Sequence, residues 1–309
     1  MNNLSNYFQK RRIASRKMNE TFGDKIFNVV NFLFASIILI AVLYPVVYVV
    51  SSSFSDPLAV ITGQVRLLPV GFTLEGYRSV FRHSQVVTGY LNSLWYMGVG
   101  VTISIFLTVL AAYPFSRKDF LDRGKLMGIF AFTMFFGGGM IPTFLLVRNL
   151  GLIDTRWAMV IPGGASVFNI IVMRTFFQNT IPDELLESAK MDGCPDFTFV
   201  LKVVIPLSGP IIAVQSLFYG LGQWNGFFTA LLYLRSTELF PLQLVLRNIL
   251  LIGDMGEGVI DLAADAQREW LIALMRYSLI VVSSLPFMLF YPFVQKFFVK
   301  GMLVGAIKG

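Results

Sequence analysis

Residues 84–116 read SQVVTGYLNSLWYMGVGVTISIFLTVLAAYPFS and contain no Asp, Glu, Lys or Arg. A helix that crosses the hydrocarbon core of a bilayer needs about 20 mainly apolar residues. A charged side chain at the centre of such a helix costs roughly 2.5–3.5 kcal/mol on insertion scales. This run therefore predicts a membrane-spanning helix whose excess length belongs to flanking helix or loop.

Similar charge-free runs lie on both sides of this one. They cover residues 26–55, 126–147, 157–173, 203–234 and 277–295. The fourth run in chain order, 157–173, is at the lower limit of the length that a span requires. Together the runs predict an all-α membrane protein with six transmembrane helices. An even number of spans places both termini on the same side of the membrane.

The composition excludes several other classes of protein. Charged residues make up 14% of the 309, where a soluble domain has about 25%, so they are too few to cover a soluble surface of this size. The hydrophobic content of 55% excludes a disordered chain, and the single cysteine, Cys194, excludes a disulfide scaffold. The net charge is +7, and the basic residues that produce it lie in short loops between apolar runs. This distribution is typical of membrane topology, so we predict no nucleic-acid partner.

The distribution of Lys and Arg predicts the orientation of the chain. Sixteen of the 25 lie in the N-tail, the loops after the second and fourth runs and the C-tail, whereas the other nine lie in the opposite loops and at their edges. By the positive-inside rule, both termini are then cytoplasmic. We divide the chain into a basic N-tail (1–25), a first helix with an outer segment (26–83), a five-helix transmembrane domain (84–295) and a C-tail (296–309).

The cytoplasmic loop at 174–202 has the pattern of a helix, a sharp turn and a second helix. Pro182 suits a first helical turn, and Gly193 stands where a helix C-cap is expected. Three apolar residues share one face with Pro182 at helical spacing: Leu185, Leu186 and Ala189. The polar face is acidic, whereas anionic lipid favours Lys and Arg, so a protein partner is favoured over a helix that rests on the lipid surface.

The same loop carries a resemblance to a known family. Glu187-Ser188-Ala189, three residues, Gly193, nine residues and then Val203-Val204-Ile205-Pro206 resembles the EAA loop of binding-protein-dependent ABC importer permeases. The family pattern is E-A-A, three residues, G, nine residues, I-x-L-P. Ser188 departs from it by one small residue for another.

Further stretches extend the resemblance over most of the chain. AAYPFSR at 111–117 is similar to the A-A-Y-A-F-S-R stretch of sugar-type permeases, and residues 140–162 resemble their third and fourth spans. Trp224-Asn225 resembles their W-N-E/D-F signature, with Gly226 in place of the acid. FVKGMLVGAIKG at 298–309 is similar to the end of maltose-permease-like subunits. The resemblance places the chain in the carbohydrate-uptake branch.

The resemblance implies a function together with its partners. It implies a type I ABC importer transmembrane fold, multi-pass in the plasma membrane of a prokaryote, that forms the translocation pathway for an oligosaccharide or a polysaccharide fragment. Its implied partners are a second and different permease chain, an extracytoplasmic solute-binding protein, the lipid bilayer and a cytoplasmic ATPase dimer. That dimer would use the ATP and Mg.

The chain itself has no G-x-x-x-x-G-K-[ST] motif, so it is predicted not to hydrolyse ATP. As a transporter subunit it is expected to be no enzyme and to bind no cofactor. The absence of charge within the runs counts against the alternative of an ion-coupled secondary transporter. A membrane assembly protein is a second alternative, and the specific cytoplasmic loop counts against it.

The implied coupling mechanism assigns roles to residues of the loop. Leu185, Leu186 and Ala189 would fit a cleft on the ATPase, Glu187 would pair with a basic group there, and Gly193 would allow the reversal. The full predicted coupling set is Pro182, Leu185, Leu186, Glu187, Ser188, Ala189, Asp192, Gly193 and Pro206.

Sugar sites need aromatic faces and hydrogen-bonding side chains in a cavity. The candidates are Tyr219, Gln223, Trp224 and Asn225 in the fifth run, with Asn92, Trp95 and Tyr96 in the second. Each has an alternative as an interfacial anchor or a bond between helices. No catalytic residue and no metal site are predicted, since His83 is the only histidine.

Overall fold

The computed structural model describes residues 21–252, 270, 272–273, 275–289, 291–292 and 295. Most of the predicted N-tail, the outer segment at 253–269 and the predicted C-tail lie outside the described residues. Within the described part the chain is helical and contains no β-strand. The prediction of an all-α fold is confirmed for these residues.

The helices are α1 (Phe22–Ser53), α2 (Pro57–Ile61), α3 (Glu75–Arg82), α4 (Ser84–Ser116), α5 (Arg123–Phe135), α6 (Met140–Asn149), α7 (Trp157–Val160), α8 (Val167–Thr180), α9 (Asp183–Met191), α10 (Asp196–Phe199), α11 (Ile205–Leu207), α12 (Gly209–Trp224), α13 (Phe227–Tyr233), α14 (Leu242–Ile252) and α15 (Met275–Leu289). A π-helical turn at Val200–Val204 joins α10 to α11, and a 3₁₀ turn at Thr237–Leu239 precedes α14.

Helix α1 begins with a capping box and then leaves the rest of the chain. The Thr21 N–H donates to Asp24 Oδ2 at 2.9 Å, and the Asp24 N–H donates to Thr21 Oγ1 at 3.3 Å. No part of its most apolar 18-residue window is buried within the chain. Only its last turn, Ser51 to Ser53, is buried. The apolar surface of α1 is therefore left for lipid or another chain.

Helix α4 is the central element, and its bounds match the predicted run. It packs against α8, α12 and α14 along its length. Small and polar residues lie on its buried side, including Gly89, Gly100, Ser104 and Thr108. Small side chains let membrane helices approach closely, which explains why this charge-free run holds them.

Three of the predicted runs are interrupted rather than continuous. The run at 126–147 breaks between α5 and α6, which meet at 109°, because the consecutive glycines 137–139 end the helix. The run at 157–173 breaks between α7 and α8, where Pro162-Gly163-Gly164 interrupts the helical path. The run at 203–234 bends by 84° at Ser208.

Among the described residues, fewer than six helices have the length and hydropathy of a membrane span. Two described helices, α1 and α4, are long and apolar enough to cross a membrane, or up to four elements if each bent pair forms one span. The count of six remains a prediction.

The main core joins the end of α4 to the loop at 174–202. It contains Phe115 of α4, Met173 and Phe177 of α8, Leu186 of α9 and Phe199 of α10, each no more than 7% exposed. Burial of such large apolar groups is the dominant stabilising term in packing. The short helices α9 and α10 are therefore anchored to the helical body rather than hanging from it.

Candidate coupling loop and translocation cavity

The predicted helix, turn and helix of the loop at 174–202 are present. Helix α9 has Pro182 as its N-cap and Asp192 as its C-cap. The Cys194 N–H donates to the Ala189 carbonyl at 2.9 Å, and the Gly193 N–H donates to the Lys190 carbonyl at 3.0 Å. This pair of bonds is a Schellman motif, in which the residue after the cap adopts a left-handed conformation.

Gly193 has φ +71°, so it occupies the left-handed region. A Cβ at this position would meet nothing within 4 Å. The requirement for glycine therefore comes from the backbone conformation and not from lack of space.

The apolar residues of α9 do not form one free face. Leu186 is 2% exposed in the core with Phe177 and Phe199, and Ala189 packs against the same cluster. Leu186 was predicted to contact a partner, but its side chain has no surface left for one, because a short helix needs buried contacts with its own chain to be held in place. The outward surface carries Glu184, Leu185, Glu187, Ser188 and Met191, of which Met191 is 89% exposed.

Both ends of α9 are paired with the loop that follows α4. Asp183 lies 2.7 Å from Lys118 Nζ and 3.5 Å from Arg117 Nη1, while Lys190 Nζ lies 2.9 Å from Asp119 Oδ2. The hydrogen bond from Lys118 lowers the pKa of Asp183, and the hydrogen bond from Lys190 lowers that of Asp119. These exposed pairs orient α9 relative to the end of α4.

Pro206 lies in α11, just before the bend at Ser208. A proline has no N–H to donate, so the preceding turn of the helix loses a hydrogen bond. The chain ahead of it widens into the π-helical turn at Val200–Val204. The predicted second helix of the loop is present as α10, and the π-helical turn that follows it was not predicted from the sequence pattern.

A cavity of about 430 Å³ lies among the interrupted helices. The break before α8 forms one wall, and α12 and α13 form the others. Its polar lining residues are Ser166, Asn169, Tyr219, Gln223, Thr229 and Tyr233. Its apolar lining includes Met159 and Phe218, and none of the residues that line it is charged. The cavity thus combines aromatic rings with neutral hydrogen-bonding groups.

Two of the seven predicted substrate-pathway residues, Tyr219 and Gln223, line this cavity. Gln223 is accommodated there by Gly100 of α4. A Cβ at Gly100 would lie 2.9 Å from Gln223 Cδ and 2.9 Å from its Nε2. The glycine is therefore required at this crossing for Gln223 to keep its position.

Asn92 and Tyr96 serve a different contact. Asn92 Nδ2 donates to the Glu238 carbonyl at 2.7 Å, and the Tyr96 hydroxyl donates to the Leu239 carbonyl at 2.7 Å. Both side chains are buried, at 4% and 0% exposed. They satisfy the backbone of the segment before α14, which is the alternative role of bonding between helices.

The remaining three predicted substrate-pathway residues also lie outside the cavity lining. Trp224 is 2% exposed, and its Nε1–H donates to the Ser283 carbonyl at 3.1 Å. Trp95 lies beneath the Arg156 guanidinium, 5.1 Å from the ring centroid, in a cation–π contact. Asn225 is the exposed C-cap of α12. The structure does not bring these three residues to the cavity.

Four polar lining residues were not predicted: Ser166, Asn169, Thr229 and Tyr233. The available signal was Pro162-Gly163-Gly164 followed by Ser166, which is the pattern of a helix break and a new N-cap. Ser166 is indeed the N-cap of α8. Thr229 and Tyr233 are four residues apart and share one face of α13.

At the other end of α4, Asp154 joins two loops. Its carboxylate accepts the N–H groups of Arg235 and Ser236, each at 2.8 Å, and the Ser236 hydroxyl at 2.6 Å. These bonds lower the pKa of Asp154. The Asp154 N–H donates to the carbonyl of Tyr233 at 2.8 Å, so this loop contact also fixes the end of α13 beside the cavity.

No protein-family model matches the chain. The chain is 39% identical over 291 residues to the polygalacturonan/rhamnogalacturonan transport system permease protein YtcP of Bacillus subtilis (strain 168), covering 93% of this chain and 99% of the relative. It is 36% identical to protein LplC of the same organism, covering 94% and 98%.

In structure it is similar to a chain from the crystal structure of a bacterial ABC transporter involved in the import of the acidic polysaccharide alginate. The TM-score is 0.81 at 36% identity, covering 90% of this chain and 98% of that one. The chain therefore belongs to the permease subunits of carbohydrate ABC importers, and it is an integral membrane transport subunit rather than an enzyme.

Proposed function

We propose that this chain forms one part of the translocation pathway of a bacterial importer for oligosaccharides or polysaccharide fragments. The observation that carries the proposal is the cavity of about 430 Å³, whose rings and neutral polar groups suit a hydroxyl-rich substrate. Relatives named for polygalacturonan, rhamnogalacturonan and alginate transport support the substrate class. A second permease chain, a solute-binding protein and an ATPase dimer that uses ATP and Mg complete the importer.

The proposed topology has six spans with both termini in the cytoplasm. Two groups of loops support it by meeting at opposite ends of α4. Near the start of α4, Asp154 accepts a hydrogen bond from the Ser236 hydroxyl, and just past the end of α4, Lys118 pairs with Asp183. At 1.5 Å per residue, a helix of 33 residues spans roughly 50 Å, enough to reach both faces of a membrane. The loops predicted as outer thus contact each other, as do those predicted as inner.

The proposed coupling surface is the outward face of α9. Leu185 and Met191 would enter an apolar groove of the ATPase, and Glu187 would pair with a basic group at its edge. A displacement of α9 would pass to α8 and α4 through Leu186, because that side chain is enclosed by the core they share. Two discrete arrangements of this core would open the cavity to one face or the other.

The substrate class is testable with the assembled importer in lipid vesicles. ATP would be enclosed with the ATPase, and labelled uronic-acid and neutral oligosaccharides would be offered with the binding protein outside. We expect ATP-dependent accumulation of at least one oligosaccharide. Accumulation of no saccharide by an assembled, ATP-hydrolysing complex would contradict the proposal.

A further inference from the structure

We propose that Thr108, Tyr219 and Gln215 are positioning residues that fasten the cavity end of α8 to its neighbours and so make the motion of α9 move the cavity wall. This inference rests on the proposed coupling function and deepens it. It concerns the hydrogen bonds that hold α8 in place, not contacts with the sugar.

The Tyr219 hydroxyl is committed to two protein partners. The Ser166 N–H donates to it at 3.3 Å, and it lies 2.7 Å from Thr108 Oγ1. Thr108 uses its own proton to donate to the Ser104 carbonyl at 2.6 Å, so the Tyr219 hydroxyl must be the donor to Thr108. One hydroxyl therefore joins the N-cap of α8 to α4, although the Tyr219 ring lines the cavity.

Gln215 holds α8 one turn further along. Its Nε2 donates to the Asn169 carbonyl at 2.7 Å, and the side chain is 1% exposed. Its Oε1 is buried without a hydrogen-bond partner within the described residues. Burying a polar group with an unmet acceptor is unfavourable, so the Gln215 amide lowers packing stability at this place. An apolar residue at this place would lack the hydrogen bond that Gln215 donates to α8.

Helix α8 links these contacts to the coupling loop. Its far end, Thr180, is separated from the first residue of α9 by Ile181 and Pro182 alone. Phe177 near that end shares the core with Leu186 of α9. A helix of 14 residues is about 21 Å long and moves as one unit. Movement of α9 would therefore reach Ser166 and Asn169, two residues of the cavity lining.

The experiment measures sugar imported per ATP hydrolysed by the full importer in vesicles. Thr108→Val removes the hydroxyl with little change in shape, and Thr108 is 0% exposed and so cannot touch the sugar. We expect ATP consumed per sugar to rise about fivefold, the ratio that one lost buried hydrogen bond produces, with the KM for sugar unchanged. Tyr219→Phe and Gln215→Leu should raise the ratio similarly. Thr108→Ser keeps the hydroxyl and should behave as the unaltered protein.

Failure of the positioning role and failure of the proposed function give different results. An unaltered ratio in Thr108→Val and Tyr219→Phe, in an importer that transports normally, would overturn the positioning role and leave the proposed function intact. ATP-independent uptake by the unaltered importer would instead overturn the proposed function. If Tyr219→Phe does not assemble, the comparison of Thr108→Val with Thr108→Ser decides, since that pair differs at a site outside the cavity.

Discussion

Lys118 Nζ lies 2.7 Å from Asp183 Oδ2, so the loop that follows α4 is paired with the first residue of α9. Lys190 and Asp119 form a second pair near the other end of the helix, at 2.9 Å. The α4–α5 loop therefore sets the direction in which α9 presents its outward face. Two loops rather than one therefore build the proposed coupling surface.

Reversing one charge of this pair should disturb docking of the ATPase, and reversing both charges should restore it. Lys118→Glu places two like charges together at the start of α9, and we expect less ATPase to co-purify. Lys118→Glu combined with Asp183→Lys should recover most of the loss. Equal losses in the single and the double variant would show that the pair does not orient α9. Because both side chains are exposed, the effect should weaken at high salt.

The same pair predicts a pH dependence. The Lys118 hydrogen bond lowers the pKa of Asp183 below its ordinary value of 3.8. A depressed folded pKa contributes stability that is present above the unfolded pKa and is lost as the pH falls through the folded one. Asp183 should therefore stay ionised from pH 5 to 8, and its titration should cause no change in ATPase association over that range. A loss of ATPase association between pH 8 and pH 5 that disappears in Asp183→Asn would contradict the ion pair between Asp183 and Lys118.

Gly193 should tolerate substitution according to backbone preference and not according to size. Gly193→Asn should keep the turn, since asparagine adopts left-handed φ more readily than other residues with a side chain. Gly193→Val should disrupt it and reduce sugar uptake strongly, because a β-branched residue is strained at φ +71°. Uptake and ATPase co-purification measure the difference. Equal uptake by the two variants would mean that the turn geometry does not matter.

Substitutions of the two leucines of α9 should affect different properties, ATPase binding for Leu185 and folding stability for Leu186. Leu185→Asp lies on the outward face, at 41% exposed, and should reduce ATPase co-purification without lowering the melting temperature of the isolated subunit. Leu186→Ala opens the core and should cost about 2–5 kcal/mol of stability. Thermal unfolding in detergent separates the two effects. The reverse pattern would mean that α9 is turned the other way.

Gly100 should control the KM for sugar through Gln223. The three atoms nearest to a Cβ at Gly100 all belong to the flexible Gln223 side chain, so Gly100→Ala should fold and push that amide from its place. We expect a raised KM for sugar. Gly98→Ala, whose Cβ would meet nothing within 4 Å, is the matched control on the same helix. Unchanged sugar kinetics in both would exclude Gln223 from the pathway.

Local patterns predicted part of this architecture well. The run at 84–116 coincides with α4, since an uncharged stretch has only the helix available to it in lipid. Gly193 was predicted as the turn, because the residues around it already form an amphipathic helix with a cap signal. These features depend on neighbours in sequence.

Other features depend on residues far apart in the chain and could not be predicted in this way. Asn92 and Tyr96 resemble pathway residues in sequence, yet they bond carbonyls more than 140 positions away. The inward position of Leu186 is set by Phe199 and Phe177, which helical periodicity does not reveal. Periodicity indicates that a face is apolar, but tertiary contacts determine which chain covers it.

The most direct test of the account is saccharide uptake into sealed vesicles that contain the complete importer. Enclosed ATP should drive uptake with the sodium and proton gradients collapsed, and uptake should stop when the ATPase subunit is omitted. Uptake driven by an imposed ion gradient in the absence of ATP would contradict the account.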